Sequence, residues 1–195
     1  MKIYSGKFKK ADVLKLQREN CSADSPHMNQ RHRRHFKTGL YTLIFIRDGG
    51  KVLLLKRLKE PNAGKYNGVG GKVEPTENIL ECALRETMEE TGLNCQSLQL
   101  KLVLRFVEES GFDYCVFAYL CDDFTGELQE CEEGALEWVD KPLEKELVEN
   151  IPIFLPYLLE QNTIGDFHFL YAEDGSINYS FSLNDGRQGR GEISQ

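Results

Sequence analysis

Glu86, Glu89 and Glu90 are spaced three and four positions apart. On a helix that spacing sets three carboxylates along one side of two turns, where like charges repel. Arg85 is expected to point to the side, so the offsetting charge has to come from outside the helix. Clustered carboxylates suit a hard divalent ion, Mg²⁺ or Mn²⁺, rather than Zn²⁺. A bare acidic face is more often simply solvated, so the residues around it decide.

Those residues are Gly71 to Leu93, GKVEPTENILECALRETMEETGL. Leu80, Leu84 and Met88 recur at steps of four and predict one buried stripe on a helix. Thr76, after Pro75, predicts the N-cap, with Glu77 in the first turn, where the helix dipole favours an anion. Gly92 predicts a left-handed stop. Ahead of the helix, Gly68, Gly70 and Gly71 let the backbone pass close to a ligand or to the helix. The Gly71 carbonyl is a candidate metal ligand, and Lys72 a point charge for a phosphate oxygen.

The stretch resembles the Nudix box, the signature of the Nudix hydrolases, through Gly71, Glu77, Arg85, Glu86, Glu89, Glu90, Gly92 and Leu93. Thr87 departs from it, standing where the family prefers an apolar side chain. The resemblance implies a divalent metal held by Glu86, Glu89 and Glu90, and hydrolysis of a nucleoside diphosphate derivative. It makes Glu86 the first candidate for general base and Glu130, in an acidic loop before Trp138, the second and a further metal ligand. It also implies that Arg85, counted among the catalytic candidates, pairs with Glu77 and orients the helix.

A chain of 195 residues suffices for one domain plus an extension. No run of about 18 apolar residues predicts a membrane span, and the start, MKIYSGKFKK, does not resemble a secretory signal. Six cysteines without a CxxC pair read as reduced thiols, which points to the cytoplasm. Residues 1–37 carry ten Lys/Arg and three Asp/Glu, a net of +7, against −14 in the remainder. They form a separate basic extension. Its QRHRRH run could touch nucleic acid, and His27, His32 and His35 could hold a metal. Without interleaved aromatics, a loosely docked extension is the favoured reading.

The domain proper is expected over residues 38–183. Gly39–Ile46 and Lys51–Lys56 predict a hairpin, as do Leu98–Val107 with Tyr114–Cys121, and Phe167–Ala172 with Ile177–Leu183. Leu136–Val139 predicts a strand, Leu143–Leu147 a short helix, and Pro152–Glu160 a longer one. Asp122 to Glu137 holds seven acids and reads as a solvated loop. Residues 184–195 are polar and Gly-rich, and are expected to be a flexible tail. The order of elements predicts an α/β fold, a mixed sheet between helices, which matches the α/β/α sandwich implied by the resemblance.

For the substrate, KYNGVGGKVEPTE resembles the corresponding part of MutT-type 8-oxo-dGTP diphosphatases, and the order of motifs does so over residues 39–183. That resemblance makes Asn67 and Asn150 candidates to read a purine edge, since an amide both donates and accepts. Asn67 would otherwise be a turn residue and Asn150 a helix cap. Val148, Asn150 and Ile151 depart from the acids and Trp of the mammalian-like pattern. Tyr66 and Phe106 are candidates for base stacking or for core, and Arg57 and Lys72 for phosphate contact. The implied activity is Mg²⁺-dependent cleavage of a nucleoside triphosphate to monophosphate and pyrophosphate. Competing readings are a dinucleoside polyphosphate, ADP-ribose, nucleotide-sugar or capped-RNA hydrolase, and a non-catalytic binding module. ADP-ribose enzymes usually carry a Pro about fifteen residues past the box; this chain has none between Pro75 and Pro142.

Overall fold

A computed structural model describes residues 38–108, 113–129 and 131–194. The basic extension and Glu130 lie outside the described residues. The strands are β1 (Thr38–Asp48), β2 (Lys51–Arg57), β3 (Tyr66–Asn67), β4 (Asn94–Glu108), β5 (Asp113–Thr125), β6 (Gly134–Val139), β7 (Gly165–Tyr171), β8 (Ile177–Leu183) and β9 (Gln188–Ile193). The helices are α1 (Ile79–Thr91) and α2 (Ile151–Leu159). Eight strands lie in the order β3-β2-β1-β5-β4-β7-β8-β9, and β6 also pairs with β2. The contacts β1–β5 and β4–β7 are parallel, and the other pairings are antiparallel.

Side chains that alternate along these strands feed two separate cores. Ile44, Ile46, Leu53, Leu55, Tyr119 and Cys121 pack on one face with Ala83 of α1. Phe45, Leu54, Leu102, Leu104, Phe167 and Phe169 pack on the other face with Phe154, Leu155 and Leu158 of α2. The result is the expected α/β sandwich. A register shift in β4 between Leu100 and Leu102 brackets Lys101. Its buried ammonium donates to the Glu160 carbonyl at 2.6 Å, while Arg47 donates to the Leu159 carbonyl at 2.9 Å. Two cations thus meet the carbonyl end of α2, where the helix dipole favours them.

Four local expectations are corrected. Asn78, not Thr76, caps α1: its side chain accepts from Leu80 and Glu81 N–H while Glu81 returns to the Asn78 N–H, a reciprocal capping box. The helix then starts at Ile79, which leaves Glu77 in the preceding turn. Leu80, Leu84 and Met88 are exposed, and Cys82, Ala83, Thr87, Glu90 and Thr91 face inward. Small side chains there let α1 approach β1 closely, to 3.4 Å between Thr42 Oγ1 and Cys82 Sγ. Thr87 tolerates complete burial because its hydroxyl donates to the Ala83 carbonyl at 2.7 Å. Between Leu143 and Leu147 only the end of a single 3₁₀ turn, Pro142–Glu144, forms.

The last correction concerns the tail. Asn184–Gly186 make a turn, and β9 pairs with β8 from Ser182↔Gln188 to Ile177↔Ile193. Glycines permit this, because Phe181 and Tyr179 lie where a Cβ on Gly189 or Gly191 would be, 2.6 and 2.5 Å away. Arg187 adds ion pairs to Glu160 and Asp185. Deleting residues 184–195 uncovers both rings and should lower the melting midpoint by about 3–8 °C, equivalent to about 1–2 kcal/mol. An unchanged midpoint in a calorimetric scan would mean that β9 contributes nothing to the fold.

Candidate active site

The site begins where the glycine segment meets β1. Ile44 and Val69 exchange backbone hydrogen bonds at 2.7 and 3.0 Å, and Thr42 N–H donates to the Gly71 carbonyl at 2.8 Å. At Gly70 the backbone has φ 140°, and a Cβ would stand 2.3 Å from the Thr42 carbonyl oxygen. At Gly71 a Cβ would stand 2.3 Å from Glu86 Oε1. A side chain at Gly70 would push the segment off β1, and one at Gly71 would displace the Glu86 carboxylate. The Gly71 carbonyl is therefore not free: the Thr42 N–H holds it, and the Cys82 thiol also donates to it, at 3.9 Å.

From α1, Glu90 turns inward, and its Oε2 accepts the Gly70 N–H at 2.7 Å. Arg85 does not point aside as expected. Its guanidinium binds both oxygens of Glu77, at 2.6 and 3.0 Å, and reaches Glu86 at 2.9 Å and Glu89 at 3.0 Å. Much of the repulsion expected along the acidic face is thereby offset within the protein. The Arg85–Glu77 pairing implied by the family resemblance is present.

Electrostatics separate the carboxylates. The Arg85 bond holds the Glu77 carboxyl down at about 2. Burial pushes Glu90 up to about 7, against the Gly70 N–H, with Glu86 and Glu133 adding to the rise and Arg57 opposing it. Burial raises Glu86 as well, with Arg85 opposing. Glu89 is the most exposed of the three. As placed, no three His, Cys, Asp or Glu side chains among the described residues converge on one point. Arg85 draws Glu86 and Glu89 toward itself, and Glu90 faces Gly70. The donor chemistry nonetheless fits a hard divalent ion: the half-buried Glu86 and the buried Glu90 flank the Gly70–Gly71 segment, and Glu90 has a backbone N–H rather than a cation as its hydrogen-bond partner.

Beside this cluster, on the α2 face, a cavity of about 300 Å³ opens. Asn67, Gly68, Gly70 and Gly71 line one side, Asn150 and Phe154 another, and Arg57 stands at the Pro61–Asn62 loop. Its floor is aromatic: Phe106 stacks on Tyr114 at 4.8 Å, and Tyr114 meets Tyr41 edge-on at 5.8 Å. Asn67 Oδ1 accepts the Gly68 N–H at 2.9 Å, and Asn150 Nδ2 donates to the Tyr171 hydroxyl at 2.9 Å. Asn150 makes no side-chain cap bond to α2, so capping is not its job.

The structure therefore brings Asn67, Asn150, Arg57, Gly71 and Phe106 together. Lys72 is exposed and not part of the cavity wall, and Tyr66 is bound to Glu137 at 2.8 Å and flanked by Lys56 and Lys145. Gln129, just before the undescribed Glu130, donates to the Thr91 carbonyl at the end of α1. Tyr41, Leu43, Tyr114, Val116 and Tyr171 escaped the sequence reading. The parallel pairings of β1 with β5 and of β4 with β7 that bring their strands together have no local signal.

Comparison with known proteins agrees with this architecture. The NUDIX domain model matches residues 37–156. The chain is 32% identical over 139 residues to an oxidized purine nucleoside triphosphate hydrolase of Danio rerio, covering 69% of this chain and 88% of that protein. It is 30% identical over 151 residues to the protein of the same name from Mus musculus, covering 75% and 94%. A mutator MutT protein from Bacillus halodurans superposes with a TM-score of 0.66 at 27% identity, over 76% of this chain and 99% of its own. Among the described residues no helix is long and apolar enough to cross a membrane. The metal-fit carboxylates thus sit in a domain that the family model recognises over most of its length, and the chain belongs to the Nudix hydrolases.

Proposed function

We propose that the protein is a Mg²⁺-dependent pyrophosphohydrolase that cleaves an oxidised purine nucleoside triphosphate, such as 8-oxo-dGTP, to monophosphate and pyrophosphate. The observation that carries this reading is the two-amide cavity opening directly onto the Gly70–Gly71 segment beside Glu86 and Glu90. The printed names of the fish and mouse relatives support the same substrate class.

The amides are held in opposite senses. The oxygen of Asn67 is engaged by Gly68, which leaves its NH₂ to donate; the NH₂ of Asn150 is engaged by Tyr171, which leaves its oxygen to accept. An oxidised purine presents both a donor and an acceptor along its edge, and its ring would lie against Phe106 and Tyr114. Arg57 at the cavity rim, with Lys72 beyond it, would meet phosphate oxygens.

Glu86, Glu89, Glu90, the Gly71 carbonyl and Glu130 are the proposed ligands of the ion. Mg²⁺, or Mn²⁺ in its place, supplies neutralisation of phosphate charge when bound. Glu86 then takes the proton from the attacking water, Glu130 being the second candidate, and pyrophosphate leaves. Arg85 keeps Glu86 and Glu89 in place and touches no reacting atom. The cell interior is the expected setting for such a substrate.

Four outcomes follow. Replacing Glu89 or Glu90 by Gln should lower kcat by about 100-fold or more with the circular-dichroism spectrum unchanged; full activity in both would remove the metal assignment. With Mg²⁺, kcat/KM for 8-oxo-dGTP should exceed that for dGTP, ADP-ribose, a dinucleoside tetraphosphate and capped RNA. Asn67→Ala and Asn150→Ala should each reduce the preference over dGTP by about tenfold. Turnover of none of the panel by folded protein would instead support the binding-module reading.

The fourth outcome concerns pH. In the metal-free protein Glu90 is raised from 4.5 to about 7, so the folded state holds a proton there that the unfolded state has lost. Its contribution to stability is therefore full below pH 4.5 and declines as pH rises through about 7. Binding a divalent ion must expel that proton. Calorimetric titration in two buffers of different ionisation enthalpy should show proton release below pH 7 and little above pH 8, with affinity rising across the same interval. Equal proton release at both ends would exclude Glu90 as a ligand.

A further inference from the structure

We infer that β9 is a self-complementary edge through which two copies of this chain join their sheets, antiparallel, about a twofold axis at Gly191. The sheet order ends at β9, and no strand among the described residues pairs with its outer side. The direction of its backbone groups follows from the register. Leu183 N–H donates to the Arg187 carbonyl, and the pairs continue through Phe181↔Gly189, Tyr179↔Gly191 and Ile177↔Ile193. In an antiparallel ladder alternate pairs are bonded, so Gly189, Gly191 and Ile193 turn toward β8. Gln188, Arg190 and Glu192 turn their N–H and C=O groups to the open edge.

The side chains choose the register. Arg190 and Glu192 are exposed, lie on the same face, and have no ion pair among the described residues. A twofold axis perpendicular to a sheet pairs residues whose numbers sum to twice that of the residue on the axis. An axis at Gly191 sets Arg190 opposite Glu192 of the second copy, and Glu192 opposite its Arg190. Moving the axis one residue either way sets Arg190 against Arg190 or Glu192 against Glu192, which opposes pairing. In the favoured register the bonded pairs are those formed by the outward-turned residues. Gly191 stands on the axis, where strands approach most closely, and the Tyr179 ring that already covers it meets its twin on the other face.

The row behind Arg190 points the same way. Arg105, His168, Ser180 and Arg190 are consecutive neighbours across β4, β7, β8 and β9. Arg105 is already paired with Asp113 and Ser180 separates His168 from Arg190, so among the described residues Arg190 is the row's unpaired cation at the open edge, and joining copies sets it against Glu192 of the second. The occupant is therefore a second copy rather than an unrelated strand, because the sequence of β9 reads as its own complement. Natural edge strands are usually guarded by charge; here the two charges oppose the two neighbouring registers and attract only in the one centred on Gly191. A six-residue seam buries less than a standard interface, so association in the micromolar range is expected.

The test is sedimentation velocity of the full chain across micromolar to millimolar concentrations. The wild type should shift from monomer to dimer. Arg190→Glu and Glu192→Arg each set like charges across the axis and should weaken dimerisation at least tenfold. The double swap R190E/E192R exchanges the two charges, leaves the complementarity intact, and should restore it. Melting midpoints identical to wild type, measured at concentrations where the chain is monomeric, will show that the variants are folded. A wild type that stays monomeric throughout overturns the inference. So does a dimer indifferent to both single reversals, or a double swap that fails to rescue.

Discussion

The backbone of residues 68–71 lies against β1 at a distance that no side chain permits at Gly70, and the site is assembled on that contact. The hydrogen bonds of Val69 and Gly71 to β1 fix the height of the segment above the sheet. At that height the Gly70 N–H is aimed at Glu90 and the Cα of Gly71 meets Glu86. The same segment forms a wall of the cavity on the opposite face. One constraint thus couples the two faces of the sheet: the carboxylates of α1 on one and the cavity lined by Asn67 and Asn150 on the other.

The helix answers this constraint in an unusual way. Its inward stripe runs Ala83, Thr87 and Glu90 instead of Leu, because a larger stripe would lift it away from β1. Burying a carboxylate there is unfavourable without a partner, and a single backbone N–H leaves Glu90 with a pKa near 7. Stability is given up at a place where a divalent ion would recover it. Arg85 limits the loss on the outer side of the helix. It keeps Glu77 fully ionised, with a pKa of about 2, and ties the preceding turn to the last turns of α1.

What the sequence made legible follows from how local each signal is. The hairpins, the box helix and its Gly92 stop depend on neighbouring residues, and all are present. The charged positions of the box are legible as a pattern, yet their arrangement is not. The resemblance implied the Arg85–Glu77 pair, but the reach of the same guanidinium to Glu86 and Glu89 shows only in the folded helix. Leu80, Leu84 and Met88 misled because periodicity reports a stripe without saying which stripe faces the sheet. Asn78 lost to Thr76 because Pro75 drew the start of the helix two residues too early. The tail misled for a different reason: its glycines read as flexibility, whereas they are clearances for the rings of Phe181 and Tyr179.

The cavity marks the boundary of this kind of reading. Asn67 and Asn150 stand 83 positions apart in the chain, and only a parallel β1–β5 pairing, a β4–β7 pairing and the seat of α2 set them on one void. Each amide then has its polarity assigned by a third residue, Gly68 or Tyr171, that no motif includes. Chemistry common to a family can be written in one short run, because charge neutralisation needs only carboxylates on adjacent helical turns. Selectivity needs groups of chosen polarity at chosen distances around a ligand, and several distant strands must supply them. The box therefore identifies the reaction class from 23 consecutive residues, Gly71 to Leu93, while the cavity takes its lining from the way the sheet is ordered.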